Sequence, residues 1–345
     1  MRTRVYITVD VECAEERGAS QPLQGYDLRV FGRFANQRRA LGIELLMDEL
    51  EAAGLKGTFF TEALGSHTFG REGLAEACRA MVTRGHDVEL HTHPIQRVAD
   101  YRTRGLSPAN DDIGSYDVPT QTELLREGKG ILESCGVPEV LGFRAGNFGA
   151  DNRTWEAMAA AGLVVSSNFN PCYFEKNCKM RLDDAGSALF RAPHGVWELP
   201  VSTFEERGGG MRHLQVTAVS WLETVDYLWK ARALGLREVT VVTHSFELCH
   251  IDSIEGKVGR PNTLNLLRFR SLCRFLERNA EHFEVDTVGA LARRLRDGTE
   301  RAPIVVPRAV PEGSLVRKVL RLPEQALKRV EAKLPWVPAI VARRA

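Results

Sequence analysis

Apolar and polar positions alternate along this chain in two rhythms. Short β-branched runs at Val5–Val9, Gly57–Thr61, Asp87–His91, Val140–Arg144, Leu163–Ser166, Val196–Val201, Glu238–Thr243 and Phe283–Val285 read as strands. Between them lie stretches of helical spacing. Arg39–Ala53 puts Ile43, Leu46, Met47 and Leu50 on one face and stops at Gly54. Gly73–Thr83 ends at Gly85, and Thr120–Cys135 at Gly136. Asp151–Ala161 opens with Asp151 as its N-cap. Val219–Ala233, Thr263–Asn279 and Val288–Arg294 complete the alternation. Residues 98–118 read as a long loop and residues 168–195 as irregular. Repeated β–α units imply a mostly parallel sheet, closed or nearly so.

The rhythm changes at residue 301. Pro303, Pro307 and Pro311 mark a linker. Beyond it, Leu315, Val316, Val319, Leu320 and Leu322 are interleaved with Arg317, Lys318 and Arg321. Pro323 then opens a second short segment carrying Ala326, Leu327 and Val330, with Lys328, Arg329, Lys333 and Trp336. The expected division is a barrel domain over residues 1–298 and a linker with basic amphipathic helices over 299–345. Residues 301–345 hold ten Lys/Arg and three Glu, so the tail is a separate basic object on a chain of net charge +1. Two readings fit it: a helix packed on the domain with a solvated basic face, or peripheral contact of residues 313–340 with an anionic bilayer.

A length of 345 residues, 43% hydrophobic and 26% charged, suits one large soluble α/β domain with an appendage. The near-zero net charge implies no general pull toward nucleic acid. The first apolar stretch ends at Asp10, too soon for a secretory core, and no run reaches membrane-spanning length. Seven irregularly spaced cysteines read as reduced thiols. The expected location is the cytoplasm, with membrane-surface contact as an option.

Candidate chemistry sits where strands end. Asp10 and Glu12 lie two apart after Val5-Tyr6-Ile7-Thr8-Val9, so a regular strand points both carboxylates to one face. Buried side by side they repel unless a cation or proton intervenes. His91 and His93 repeat the arrangement before Pro94 and suit a divalent ion. Arg144 precedes Ala145-Gly146-Asn147 and suits either a bidentate grip on a carboxylate or a surface salt bridge. His244 closes Val239–Thr243 as a general acid or base, or as a core histidine bonded to backbone.

Taken in order, these segments resemble the polysaccharide deacetylase family, also called NodB-homology or carbohydrate esterase 4. The resemblance runs over about residues 3–295. It rests on Gly57-Thr58-Phe59-Phe60, on Gly85-His86-Asp87-Val88-Glu89-Leu90-His91-Thr92, and on Phe143-Arg144-Ala145-Gly146. Glu198-Leu199-Pro200-Val201 and Val242-Thr243-His244-Ser245 complete it. It implies a distorted (β/α) barrel with fewer than eight strands and one divalent metal, zinc first and Co2+, Ni2+ or Mn2+ after it. It implies Asp10 as general base, Glu12 and His91 as metal ligands, Arg144 as the holder of Asp10, and His244 as general acid.

Two positions depart from the family pattern. The usual second metal histidine, four residues after the first, is Ile95 here; His93 is the nearest substitute and resembles a His-x-His-Pro subgroup associated with lipopolysaccharide and capsule loci. No aspartate stands near residues 163–168 to tune His244, leaving Glu198, Glu247 or Asp286 as alternatives. The implied activity is removal of an N-acetyl or N-formyl group from an amino sugar or lipid-linked glycan during surface-polysaccharide assembly. Hydrolysis of another non-peptide amide and inactive glycan binding are the competing readings.

Overall fold

Alternation within the first strand sets the architecture. In β1 (Thr3–Val11), Val5, Ile7, Val9 and Val11 join the large outer core, whereas Tyr6, Thr8 and Asp10 face the space the sheet encloses. The computed structural model describes residues 2–14, 24–97, 110–174, 176–182, 187–206, 209–300 and 312–333. The barrel strands that follow β1 are β2 (Thr58–Glu62), β3 (Asp87–Thr92), β4 (Gly142–Ala145) and β5 (Val165–Ser166). After them come β6 (Phe190–Arg191) and β7 (Trp197–Glu198), a hairpin of β8 (Thr203–Glu205) and β9 (Met211–His213), and β10 (Glu238–His244). A second hairpin, β11 (Cys249–Ser253) with β12 (Val258–Pro261), precedes β13 (Phe283–Asp286).

Seven strands pair in parallel in the order β10-β1-β2-β3-β4-β5-β7. β6 adds antiparallel to β7. One edge of β1 is shared: β13 pairs with Thr3–Tyr6 and β2 with Thr8–Val11. Between β7 and β10 the described residues form no ladder. Instead Ser202 Oγ accepts from the Thr240 amide at 2.8 Å, and a single bridge joins Gln215 to Val242. The fold is therefore a distorted (β/α)7 barrel whose last seam is irregular chain.

Helices cover the outside. They are α1 (Ile43–Glu51), α2 (Arg71–Thr83), α3 (Val118–Ser134), α4 (Asn152–Ala160), α5 (Trp221–Ala233) and α6 (Thr263–Arg278). Asp151 does cap α4, accepting from the Arg153 amide in a capping box with Thr154. α7 (Val288–Arg296) plugs the strands' N-terminal end: Val288, Leu291, Ala292 and Leu295 close over Tyr6 and Phe60, and the Val288 amide donates to Thr58 Oγ1 at 2.9 Å. An apolar floor thus lies beneath a polar chamber that opens at the strands' C-terminal end.

The structure departs from the sequence reading in three places. The stretch between Val201 and Val219, given no element from the sequence, holds the β8–β9 hairpin, and β11–β12 follows His244. The tail is one helix, α8 (Leu315–Lys333), with Pro323 inside it, rather than two helices parted there. Pro323 lies on the exposed side, so the carbonyl that loses its N–H partner faces water. The Pro303–Pro311 linker, most of the 98–118 loop and Trp336 lie outside the described residues.

Candidate metal and acid–base site

Period two along parallel strands brings the polar residues to one place. Thr8, Asp10 and Glu12 project from β1 and its end; His91 and His93 do so from β3 and its end; Arg144 comes from β4 and His244 from β10. All six residues singled out in the sequence converge at the chamber. A cleft of about 260 Å³ is lined by Asp10, Glu12, His91, His93 and His244, with Arg144 beneath it.

Arg144 is fully buried, and its charge is answered on every side. Nη1 donates to Asp10 Oδ1 at 2.8 Å and Thr8 Oγ1 at 2.9 Å, and Nη2 to Ser167 Oγ at 3.0 Å. The guanidinium carbon sits 4.3 Å from the centre of the Phe60 ring. Burial opposes the charge on Asp10, but Arg144, then His91 and His244, hold its carboxyl below the usual carboxylate range.

Glu12, His91 and His93 offer three ligand atoms within 4.8 Å of one another. Their outer contacts decide what they suit. His91 Nδ1 lies 2.8 Å from the Arg144 carbonyl, which only accepts, so that nitrogen carries the proton and Nε2 turns a lone pair inward. His93 Nδ1 likewise meets the Asp111 carboxylate at 2.7 Å, and Asn147 Nδ2 donates to the same oxygen at 2.8 Å. Glu12 Oε2 then faces His93 Nε2 at 2.8 Å and His91 Nε2 at 3.6 Å. Such acceptors can crowd only around a proton or a cation. With a proton there, burial would lower His93, yet Asp111 and Glu12 raise it well above an ordinary histidine. A divalent cation meets the same need, and one carboxylate with two anchored imidazoles is a zinc-type set. Ile95 sits in the turn after β3 and takes no part in this triad.

His244 is paired in register with Asp10, and its Nε2 lies 3.9 Å from Asp10 Oδ2. Its other nitrogen meets Glu247 Oε1 at 2.9 Å. Glu247 is itself fixed by Gln215 Nε2 at 2.5 Å and Thr243 Oγ1 at 2.8 Å. Burial works against a charged His244, but Glu247, Asp10 and Glu12 outweigh it and push the imidazole up to about 9. The three alternatives for its carboxylate partner are thereby resolved. Glu198 instead accepts from Trp155 Nε1 and the Asn168 and Phe169 amides, and Asp286 pairs with Arg294.

Comparison with solved structures finds similar chains. A candidate polysaccharide deacetylase from Mycobacterium smegmatis is 18% identical, with 91% of this chain and 95% of that one covered at a TM-score of 0.49. A family 4 carbohydrate esterase from Streptomyces lividans, in complex with acetate, is 12% identical over 81% and 90%, at 0.38. A peptidoglycan deacetylase from Bacillus subtilis is 10% identical over 86% and 93%, also at 0.38. A family 4 pseudoenzyme from Bacillus anthracis is 8% identical over 84% and 66%, at 0.42. No family model matches the chain, and no curated protein does.

The rest of the cleft is built by a strained turn and an aromatic wall. Asn147 and Phe148 both have left-handed backbones, with φ of 55° and 54°. A Cβ on Gly146 would lie 2.4–2.6 Å from the His93 ring, so only glycine lets β4 end against that ring. Phe148 and Tyr173 line the cleft, and Tyr173 stacks on His213 at 5.5 Å and 21°. Arg29 lines it too, reaching Glu12 Oε1 at 3.4 Å while stacking 3.3 Å above Phe246. The sequence reading missed Asp111, Arg29 and this wall. Each comes from a loop or single turn without periodicity.

Proposed function

We propose that this chain is a metal-dependent hydrolase that removes an N-acetyl or N-formyl group from an amino sugar or glycan intermediate. One observation carries the reading. A carboxylate held ionised by Arg144 and an imidazole held protonated by Glu247 face one cleft beside a zinc-type ligand set. Amide hydrolysis needs a base and an acid in opposite protonation states at one pH. Asp10 takes the proton from the attacking water, and Arg144 keeps its second oxygen occupied and oriented. His244 Nε2 gives its proton to the departing amine, and Glu247 stabilises the cation before transfer. Water adds to the carbonyl carbon, the C–N bond breaks, and acetate or formate and the free amine are released. A divalent cation held by Glu12, His91 and His93 would polarise the amide carbonyl and acidify the water.

The aromatic faces of Tyr173 and Phe148 suit the apolar face of a pyranose. The names of similar solved structures, among them a polysaccharide deacetylase and a peptidoglycan deacetylase, support a carbohydrate substrate. The place in surface-polysaccharide assembly rests on the His-x-His-Pro resemblance. The test is acetate and formate release by metal-loaded protein from nucleotide-linked, lipid-linked and polymeric N-acylated amino sugars. Release should fall at least about 100-fold in Asp10→Asn. Binding of a glycan without release from any substrate would overturn the reading in favour of an inactive binding relative.

A further inference from the structure

Helix α8 is mounted with its apolar side out. Of the ten large hydrophobic side chains exposed among the described residues, seven belong to it, from Leu315 to Val330, with Val316 at 67% and Leu322 at 63%. Its polar stripe does the docking. Arg321 is buried, 2.9 Å from Glu206 and 3.1 Å from Glu223. Glu324 meets Arg268 at 2.6 Å, Lys328 Nζ donates to the Thr217 carbonyl at 3.2 Å, and Glu331 accepts from the Thr263 amide at 2.5 Å. Residues 321, 324, 328 and 331 share one face at helical spacing. Apolar side chains on the opposite arc span about 160° of the helix, and none is a member of a core cluster among the described residues. Charge and hydrogen bonds therefore mark the side of α8 that meets the barrel.

We propose that this arc is a docking surface for an anionic phospholipid bilayer, with α8 lying in the headgroup plane. Charge selects this occupant. Glu324 and Glu331, the acidic side chains within α8, both turn to the barrel. Arg329 is exposed beside the apolar arc and has no acidic partner among the described residues; Lys318, on the same edge by spacing, is partly exposed and meets Glu206 of the barrel at 3.6 Å. The outward side of α8 thus carries the apolar arc and the Arg329 cation, with no carboxylate of the helix among them. A second copy would set two cation-edged arcs against each other with no carboxylate to answer them. A bilayer with anionic headgroups answers both features, apolar depth for the leucines and negative charge for the rim. Among the described residues no helix is long and apolar enough to cross a membrane, so the contact is parallel to the surface.

The test is flotation of the full-length protein with vesicles of phosphatidylcholine alone or mixed with phosphatidylglycerol. Binding to the mixed vesicles should be about tenfold or more the stronger and should weaken with salt. Leu320→Glu with Leu327→Glu should lower it at least about tenfold, and Arg329→Glu several-fold. These side chains are exposed and belong to no core cluster among the described residues, so thermal melting should match wild type. Absence of binding, binding indifferent to lipid charge, or binding untouched by the double variant would each overturn the proposal. So would a vesicle-free dimer that the double variant dissolves, which would make a second copy the occupant.

Discussion

Two lone pairs 2.8 Å apart, on Glu12 and His93, are tolerable only with positive charge between them, and Asp111 fixes which His93 nitrogen points there. Asp111→Asn should therefore weaken zinc binding by about 10–100-fold without unfolding the barrel, as read by competition with a chelating dye. Glu12→Ala and His93→Ala should abolish stoichiometric metal on elemental analysis. Glu247 does for His244 what Asp111 does for His93. Glu247→Gln removes the charge that raises His244, so the alkaline limb of the pH–rate profile should move to lower pH, a shift that a loss of packing alone would not produce. Arg144→Met strands Asp10 as a buried, unpaired carboxylate and should cost about 3–5 kcal/mol in urea denaturation; adding Asp10→Asn should recover part of it. Asp10, Glu12, His91, His93 and His244 were legible because they stand at the ends of apolar, β-branched runs, where period two fixes the side-chain face; Arg144 was legible through the Phe143-Arg144-Ala145-Gly146 resemblance. Asp111 was not, since no pattern within Asn110-Asp111-Asp112 says which strand end it meets.

At the level of elements, the parallel strands and their helices were readable to within a few residues, because each has an apolar face that must be covered. Short hairpins were not. β8 and β9 each run three residues, too few for alternation to register, although Gly208-Gly209-Gly210 between them is a turn signal. The tail misled differently: its apolar positions predict the helix but not which side docks. Glu331 accepts from the first amides of α6, so Glu331→Gln should destabilise that helix start by about 0.5–2 kcal/mol, visible as faster amide exchange at Thr263 and Leu264. β4 is confined by its neighbour as well. Gly146→Ala drives a methyl into His93 and should lower metal occupancy while leaving the distant α7 plug intact.

For the whole molecule, the groups raised above their ordinary values dominate the alkaline side. His244, near 9, binds its proton more tightly folded than unfolded; its stabilising effect is complete below the unfolded value near 6.5 and is lost as pH rises through about 9. Glu62, buried at the end of β2 and pushed up to about 8, acts in the same sense from the unfolded carboxylate value upward. Denaturation of metal-free protein should therefore show less stability at pH 9 than at pH 6.5, and His244→Gln should flatten that decline. The parallel ladder between β1 and β10 has one more consequence. Asp10 and His244 are opposed because seven residue pairs from Arg4–Glu238 upward are in step. Their separation is counted in whole residues, about 3.3 Å at a time, and a slip of one strand by one residue would also turn that strand's side chain away from the chamber. Mutation can change what stands at either position, but not ease the two apart by degrees. Under the proposed function, variation in substrate size falls to the loops around the cleft, while the distance between Asp10 and His244 stays digital.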